Sequence, residues 1–544
     1  MPIDLGSVSL DEQRLVKQLQ NDLRDDWFPD PLRFTDMLST DIIGRHLLEN
    51  FEANQGLYVP SLRTLFNVPK PNFTLRYGLE TGIPDRALYH SLTTFLIPFF
   101  DPLIPWNVYS HRENKIHPDP KFTFVPGVRA WQDFAGTAKA ALSPNSWLLS
   151  TDVANCFEHV NLNLLHNRLL LLMPSVVATS KQKSLIRAHI ELLFRCLKTW
   201  AYDAERGLPQ NRDASSFLAN IYFYPVDIAM QKHGFADTYF RYMDDVKVIC
   251  NDEYSARKAL NCMGLELRKL GLYLNSKKTV ICPALDTETV SQCFDEGSPE
   301  LQQLDELWRI KAPATITRAI PRIKQLTLDL IDARKTDTKE FRFCIHRLRN
   351  LALATDFVVP PDFFDKITPS IIRCIETSPA SSAEIAQYLI AVSTRQEHLD
   401  EVAKFVCDEH KCIYNWQNYW LWILLAAKKH ISLVLAARAE SLINGEDTPT
   451  RAGATLYMGA VGSNAGRELI AKNFKTLSCF LGQRNALIAL REVPFRPLIE
   501  GHVATYVRDD LKGVYRNLRK GAVSYFAPPE RMPLLQFPEP AVES

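Results

Sequence analysis

The sequence has no excess of charge of either sign: 63 basic and 62 acidic residues leave a formal net charge of +1. A uniformly basic surface is excluded, so any nucleic-acid site has to be a local patch. None of its 11 cysteines forms a CxxC pair. Their odd count and irregular spacing argue against a disulfide framework and for reduced thiols. One small Cys/His cluster, Cys407, His410 and Cys412 in "CDEHKC", lies in an expected helix and lacks an evident fourth ligand, so zinc is not expected there. The opening "MPIDLGSVSLDEQRL" has neither the charged nor the apolar region of a signal peptide, and a cytoplasmic protein is expected. No apolar run reaches membrane length. The longest, "YWLWILLAA" from Tyr419, ends at Lys428, Lys429 and His430 and reads as a core helix, so no membrane partner is expected. No fixed-period internal repeat is visible either.

What is present is an ordinary globular balance, 46% hydrophobic and 23% charged over 544 residues, enough for two or three domains. Residues 1–60 read as a helical extension, aromatic-rich and punctuated by prolines ("DDWFPDPLRFTDML"). Over 61–298 strand-like and helix-like segments alternate. "SWLLSTDV" is a short apolar strand ending on Asp152, and "NLNLLHNRLLLLM" is helical. Asp213 to about Met230 is a helix, "TYFRYMDDVKVIC" a hairpin, "SARKALNCMGLELRKL" a helix and "LYLNSKKTVIC" a strand. The mixture predicts an α+β layer with an antiparallel sheet and helices. After "DEGSPE" strand signals largely stop, and 299–544 reads as an all-α domain compatible with a helical-repeat array.

Two adjacent aspartates, Asp244 and Asp245, stand inside the apolar hairpin "YFRYMDDVKVIC". Ionised carboxylates are rarely buried unless paired or bound to metal. A plain polar turn is the alternative reading. If the strand ending on Asp152 neighbours the hairpin, the carboxylates converge and form a hard-cation site suited to magnesium. Two such ions activate a hydroxyl and stabilise a leaving pyrophosphate in an in-line displacement.

The order "STDVANCFEHV", "GLPQNRDASSFLANIYF", "YMDD", "GLYLNSKKT" resembles the succession of palm motifs in reverse transcriptases, over roughly residues 100 to 285. The resemblance implies right-hand fingers and palm over 61–298. It makes Asp152, the Val153 carbonyl, Asp244 and Asp245 the metal site, with two Mg2+ ions and Mn2+ as a substitute. Phe157 falls at the aromatic gate against a ribose 2′-hydroxyl, which selects dNTPs; core packing is its alternative. Met243 and Gln210 fall beside the incoming nucleotide, and Ser215, Leu218 and Asn220 on the helix that follows. Asn211 replaces the family's usual glycine. Asparagine tolerates positive φ, but its side chain intrudes where template and nucleotide approach. Lys278, or its neighbour Lys277, stands where a lysine protonates the departing pyrophosphate. Upstream, "WNVYSHRENK" and "RAWQDF", with Tyr109, Arg112, Trp131 and Phe134, resemble the pattern of bacterial abortive-infection and other defence-associated reverse transcriptases. In that lineage a long domain of HEAT-like repeats follows the palm. Arg112 is then a candidate triphosphate contact, with a structural salt bridge as the alternative.

In "VRDDLKGVYRNLRKG" a helix is expected whose basic face, Arg508, Lys512, Arg516, Arg519 and Lys520, follows a nucleic-acid backbone or is merely solvated. The resemblance implies a bacterial, cytoplasmic RNA-directed DNA polymerase of the antiphage type. It uses dNTPs and an RNA template or non-coding RNA, makes a DNA product, and works as a homo-oligomer or with a partner protein. Three alternatives stand beside it: template-independent or protein-primed synthesis by the same palm, a retron- or intron-derived enzyme, and an RNA-binding scaffold that retains the palm.

Overall fold

The computed structural model describes residues 3–115, 122–203, 205–294, 297–310, 312–360, 362–493, 502–512, 518 and 524–537. The expected N-terminal helices are there, Glu12–Asp22 and Thr40–Ala53, and a small hairpin of β1 (Ile3–Leu5) and β2 (Val8–Leu10) precedes them. Asp11 starts the first helix by accepting from the Arg14 N–H at 3.1 Å. An antiparallel hairpin follows, β3 (Thr64–Pro69) and β4 (Leu75–Glu80), and then the helix Ile83–Phe100, buried on nearly every side.

A four-stranded antiparallel sheet sits at the centre of 61–298. Its strands are β5 (Trp147–Asp152), β6 (Tyr239–Tyr242), β7 (Asp245–Cys250) and β8 (Val280–Pro283), in the order β6-β7-β5-β8. The period of two decides its faces. Leu149, Val246 and Val248 point into the main core with the helix Glu253–Lys269, while Leu148, Ile249 and Phe240 meet the helix Gly127–Ala140 through Phe134. The last strand is shorter than "LYLNSKKTVIC" predicts. Beyond Val280 the chain leaves the ladder at residues 275–279 and returns to it only as an isolated bridge from Leu274 to Val153. Residues 275–279 turn instead, with the Asn275 N–H donating to the Asp152 carbonyl (2.7 Å) and the Lys278 N–H to the Asn275 carbonyl (3.0 Å).

From Pro299–Arg309 onward the described regular structure is helical. Lys339–Leu353, Ser382–Ala391, Asn415–Ala427, Pro449–Val461 and Phe480–Ala489 pack one on the next in a row, backed by a second row of Thr368–Thr377, Gln396–Cys407, Leu433–Ile443 and Asn464–Asn473. "YWLWILLAA" lies in the buried helix Asn415–Ala427. Gly459 lets two of these helices touch, since a Cβ there would stand 2.4 Å from the Ala489 Cα.

One contiguous core runs through all three sequence regions. The joint is a strap, residues 26–36, between the β3–β4 hairpin and the C-terminal helices. Trp416 Nε1 donates to the Trp27 carbonyl (2.8 Å), the Tyr419 hydroxyl to the Pro29 carbonyl (3.0 Å), and the Phe28 ring lies 4.5 Å from Phe66 and 5.0 Å from Tyr419. Arg484, 1% exposed, holds Asp30 and Asp36 at 2.7 and 2.6 Å.

The basic helix expected around Leu511 is not formed in the described part, which has one short turn, Asp509–Leu511. Arg508 forks onto neighbouring Asp510 at 3.0 and 2.9 Å and donates to the Ser478 carbonyl, while Lys512 pairs with Asp509 at 2.5 Å. The adjacent aspartates pair with these two cations. Arg516, Arg519 and Lys520 lie outside the described residues. The Cys407 cluster is not one helical face either. The helix ends at Cys407, and the Cys412 thiol donates to the Phe405 carbonyl.

Candidate active site

The sheet register brings the aspartates together: Asp152, the last residue of β5, is the direct partner of Asp245, the first of β7. Asp244 occupies the two-residue turn between β6 and β7, and its carbonyl accepts from the Val153 N–H at 3.1 Å. This turn needs support, because Met243 stands at φ 53, a conformation that strains a side chain with a Cβ. The support is Arg241. Its guanidinium is fully buried, donates to the Met243 carbonyl (3.0 Å) and to the Asn220 Oδ1 (2.9 Å), and forks onto Asp227 at 2.8 and 2.7 Å. Asn220 in turn donates to the Ser110 carbonyl at 2.7 Å, and Tyr89 shares a hydrogen bond with Ser215.

The carboxylates have different surroundings. Asp152 accepts from the Asn275 Nδ2 (3.2 Å) and lies 3.4 Å from the Lys278 ammonium, whereas no such contact is seen for Lys277. Asp245 is turned onto Lys247, a lysine 2% exposed that also donates to the Ser150 hydroxyl at 3.0 Å. Burial raises the Asp245 pKa, and Lys247 opposes the rise. Asp244 is pushed up to about 7, by burial first and by the Asp152 charge next. Among the described residues no three His, Cys, Asp or Glu side chains converge as a metal-holding group, so the expected single point of convergence is not seen. The donor chemistry nevertheless fits a hard divalent cation. Asp152, Asp244 and the Val153 carbonyl offer oxygen at one sheet edge, and the charge of Asp152 opposes ionisation of Asp244. Asp245 stands behind them as the partner of Lys247.

Around this edge, Phe157 is half-buried between two clusters of apolar side chains, and its carbonyl accepts from the Leu208 N–H at 3.0 Å. That bond ties it to the loop "GLPQ". Gly207 opens the loop at φ 105, with its would-be Cβ 2.7 Å from the Tyr77 hydroxyl. The buried Gln210 faces Glu158 at 3.4 Å. Asn211 stands at φ 56, the left-handed conformation that a glycine would supply.

Arg112 is corrected. All five of its N–H groups are taken by Asp101 and by the carbonyls of Asp101, Ile104, Pro105 and Val108, at 2.8 to 3.2 Å. It clamps its own loop and leaves nothing for a triphosphate. Tyr109, Trp131 and Phe134 pack as a ring cluster on Tyr242.

A cation near the site that the sequence reading did not single out is Lys70, just past the end of β3. Its ammonium donates to the Asn155 Oδ1 (3.1 Å) beside Asp152, and its pKa is lowered by burial and then by Arg76. "VPKPNFTLR" carried a signal in its paired cations around a proline turn. Lys247, Arg241 and Asp227 carried another: lone charges inside apolar segments, each needing a partner.

Residues 103–325 match the family model described as reverse transcriptase (RNA-dependent DNA polymerase). No curated protein matches the sequence. Among solved structures the chain is similar to that of telomerase from Candida albicans in complex with a TWJ fragment of telomeric RNA, at 12% identity and a TM-score of 0.29 over 67% of this chain. It covers 66% of that chain, just under two thirds of its length, and a likeness so loose carries no weight beside the family match. Over the matched segment the chain has a reverse transcriptase domain, the domain of RNA-directed DNA polymerases, which are nucleotidyltransferases.

Proposed function

We propose that this domain adds dNTPs to a growing DNA strand on an RNA template by two-metal-ion nucleotidyl transfer. The observation that carries the reading is the placing of Asp152 and Asp245 as register partners, with Asp244 in the adjoining turn, inside the segment that matches the family. Asp152, Asp244 and the Val153 carbonyl would hold Mg2+ or Mn2+, and Asp245 would support them. When bound, the cations would supply charge neutralisation for the attacking hydroxyl and the leaving pyrophosphate. The chain's own groups do the rest. Lys278, beside Asp152 and 64% exposed, would give a proton to the departing pyrophosphate. Lys70 and Arg76 on the fingers hairpin offer cations to the triphosphate. Phe157 presents a flat apolar ring to the sugar, which leaves a 2′-hydroxyl no partner. Gln210 and Met243 line the nucleotide's position.

An antiphage role is part of this proposal. It is supported by the defence-associated pattern around Tyr109 and Trp131 and by two rows of helices after the palm, the layout a HEAT-like array would have. Among the described residues no helix is long and apolar enough to cross a membrane. Asn211 favours a second reading, template-independent or protein-primed synthesis by the same palm, because its side chain occupies space that a glycine leaves open.

Primer extension with dNTPs and Mg2+, with and without a supplied RNA template, tests both readings. Asp244→Asn should bring incorporation to background while circular dichroism and melting temperature hold. A fully active Asp244→Asn would sink the metal-site assignment, and incorporation indifferent to the RNA would select the second reading.

A further inference from the structure

A buried ionic cluster, of which only Arg212 belongs to a palm motif, lies behind the Gln210–Asn211 loop. Arg212 follows Asn211 directly, and its side chain is 2% exposed. It donates to the Asn211 carbonyl at 2.8 Å, reaches Asp26 at 3.3 Å and Glu80 at 3.5 Å, and lies 3.7 Å from Asp22. Arg86 shares the same three carboxylates, with Asp26 at 2.7 Å and Glu80 at 3.7 Å. His90 adds a contact to Asp22 at 2.9 Å. Five separate segments thus meet at one point: the helix Glu12–Asp22, the strap, β4, the helix Ile83–Phe100 and the nucleotide loop.

Two arginines balance two aspartates there. Glu80, pushed up to about 8 by burial and then by Asp26, joins as a proton-bearing partner. Charges this deep are tolerated only while paired, and withdrawing one partner is costly. The loop therefore cannot shift unless Arg212 leaves its carboxylates, and the left-handed Asn211 is fixed by the guanidinium on its carbonyl. Asp26 begins the strap, which is bolted to the C-terminal helices through Trp416, Tyr419 and Arg484.

We propose that Arg212 is a positioning residue for the incoming nucleotide, acting through Asn211 and Gln210, and that Asp26 makes its placement depend on the strap that carries the C-terminal helices. The proposal rests on the polymerase reading and deepens it. Neither residue touches the reacting atoms, so the signature is a split between binding and turnover.

Steady-state incorporation is measured for wild type, Arg212→Lys, Arg212→Gln, Asp26→Asn and the Arg212→Gln/Asp26→Asn double variant, with Mn2+-induced thermal stabilisation alongside. Arg212→Gln should raise the dNTP KM by about tenfold while kcat changes less than about threefold. Asp26→Asn, which keeps the side-chain shape, should give a smaller rise of the same kind. The double variant should be no worse than Arg212→Gln, because both act through one contact. Arg212→Lys should recover most of the loss, and Mn2+ stabilisation should be equal in all. A loss in kcat with KM unchanged, or effects that multiply in the double variant, would overturn the proposal and leave the cluster a packing role. If Arg212→Gln fails to fold, Asp26→Asn and Arg212→Lys still decide. A wild type that incorporates no dNTP would instead sink the polymerase reading, and the proposal with it.

Discussion

Asp244 shows how far position alone alters a side chain. Its carboxyl is buried in a turn next to Asp152, and both burial and that charge raise its pKa to about 7. Without metal it is a weak acid, half protonated near neutrality. A divalent cation binds the ionised form, so below about pH 7 binding must displace a proton, and above it there is none to displace. The affinity of the metal-free protein for Mn2+ should therefore fall as pH drops from about 8 to about 6, approaching tenfold per unit at the acid end. Calorimetric titration in buffers of different ionisation enthalpy reads the released proton directly, and Asp244→Asn should abolish the release. A pH-independent affinity would mean that Asp244 is not a ligand. Lys247 differs in kind, because its ammonium already sits on Asp245 and on Ser150, between the rings of Phe134 and Phe294.

At the scale of the element, the hairpin turn depends on a helix behind it. The strained Met243 is held by Arg241, and Arg241 is held by Asp227 from the helix Asp213–Met230. Asp227→Asn leaves a buried guanidinium without its counter-charge and should destabilise the fold by about 3–5 kcal/mol. Adding Arg241→Met removes the orphaned charge and should recover part of that loss, although the turn would still lack its donor to the Met243 carbonyl. Urea denaturation of the three variants checks this. If Asp227→Asn costs less than about 1 kcal/mol, the pair does not hold the turn.

For the whole molecule, the strap decides whether the C-terminal helices are a separate body. Arg484 joins them to Asp30 and Asp36, with nearly the whole contact out of water. Arg484→Met should leave two buried carboxylates uncompensated and lower stability by several kcal/mol, on the order of 3–5. It should also split a single thermal transition into two, as the C-terminal helices uncouple from the fingers and palm. Differential scanning calorimetry makes the distinction. One transition at the wild-type temperature would show that apolar packing around Phe28 and Tyr419 suffices without the ion pairs.

Much of the palm could be read from the chain because its signals are local. Short apolar runs mark β5 and β7, the helix Asp213–Met230 has the bounds its pattern suggests, and "YMDD" names its own turn. Both faces of the sheet are buried, so its strands show as continuous apolar runs that can be read locally. The sequence could not show which opposite charges pair across hundreds of positions. Arg112 has one free-looking guanidinium in the sequence and five occupied N–H groups in the fold. Arg508 reads as part of a basic stripe and is consumed by Asp510. Lys70 stands in none of the motifs and arrives on Asn155. Arg212 and Asp26, 186 positions apart, become one contact. The three carboxylates are placed by hydrogen-bonded strands, whose apolar runs are written in neighbouring residues. The charges that position and balance them are placed by long-range packing, and a buried charge takes whichever counter-charge the packing brings within reach.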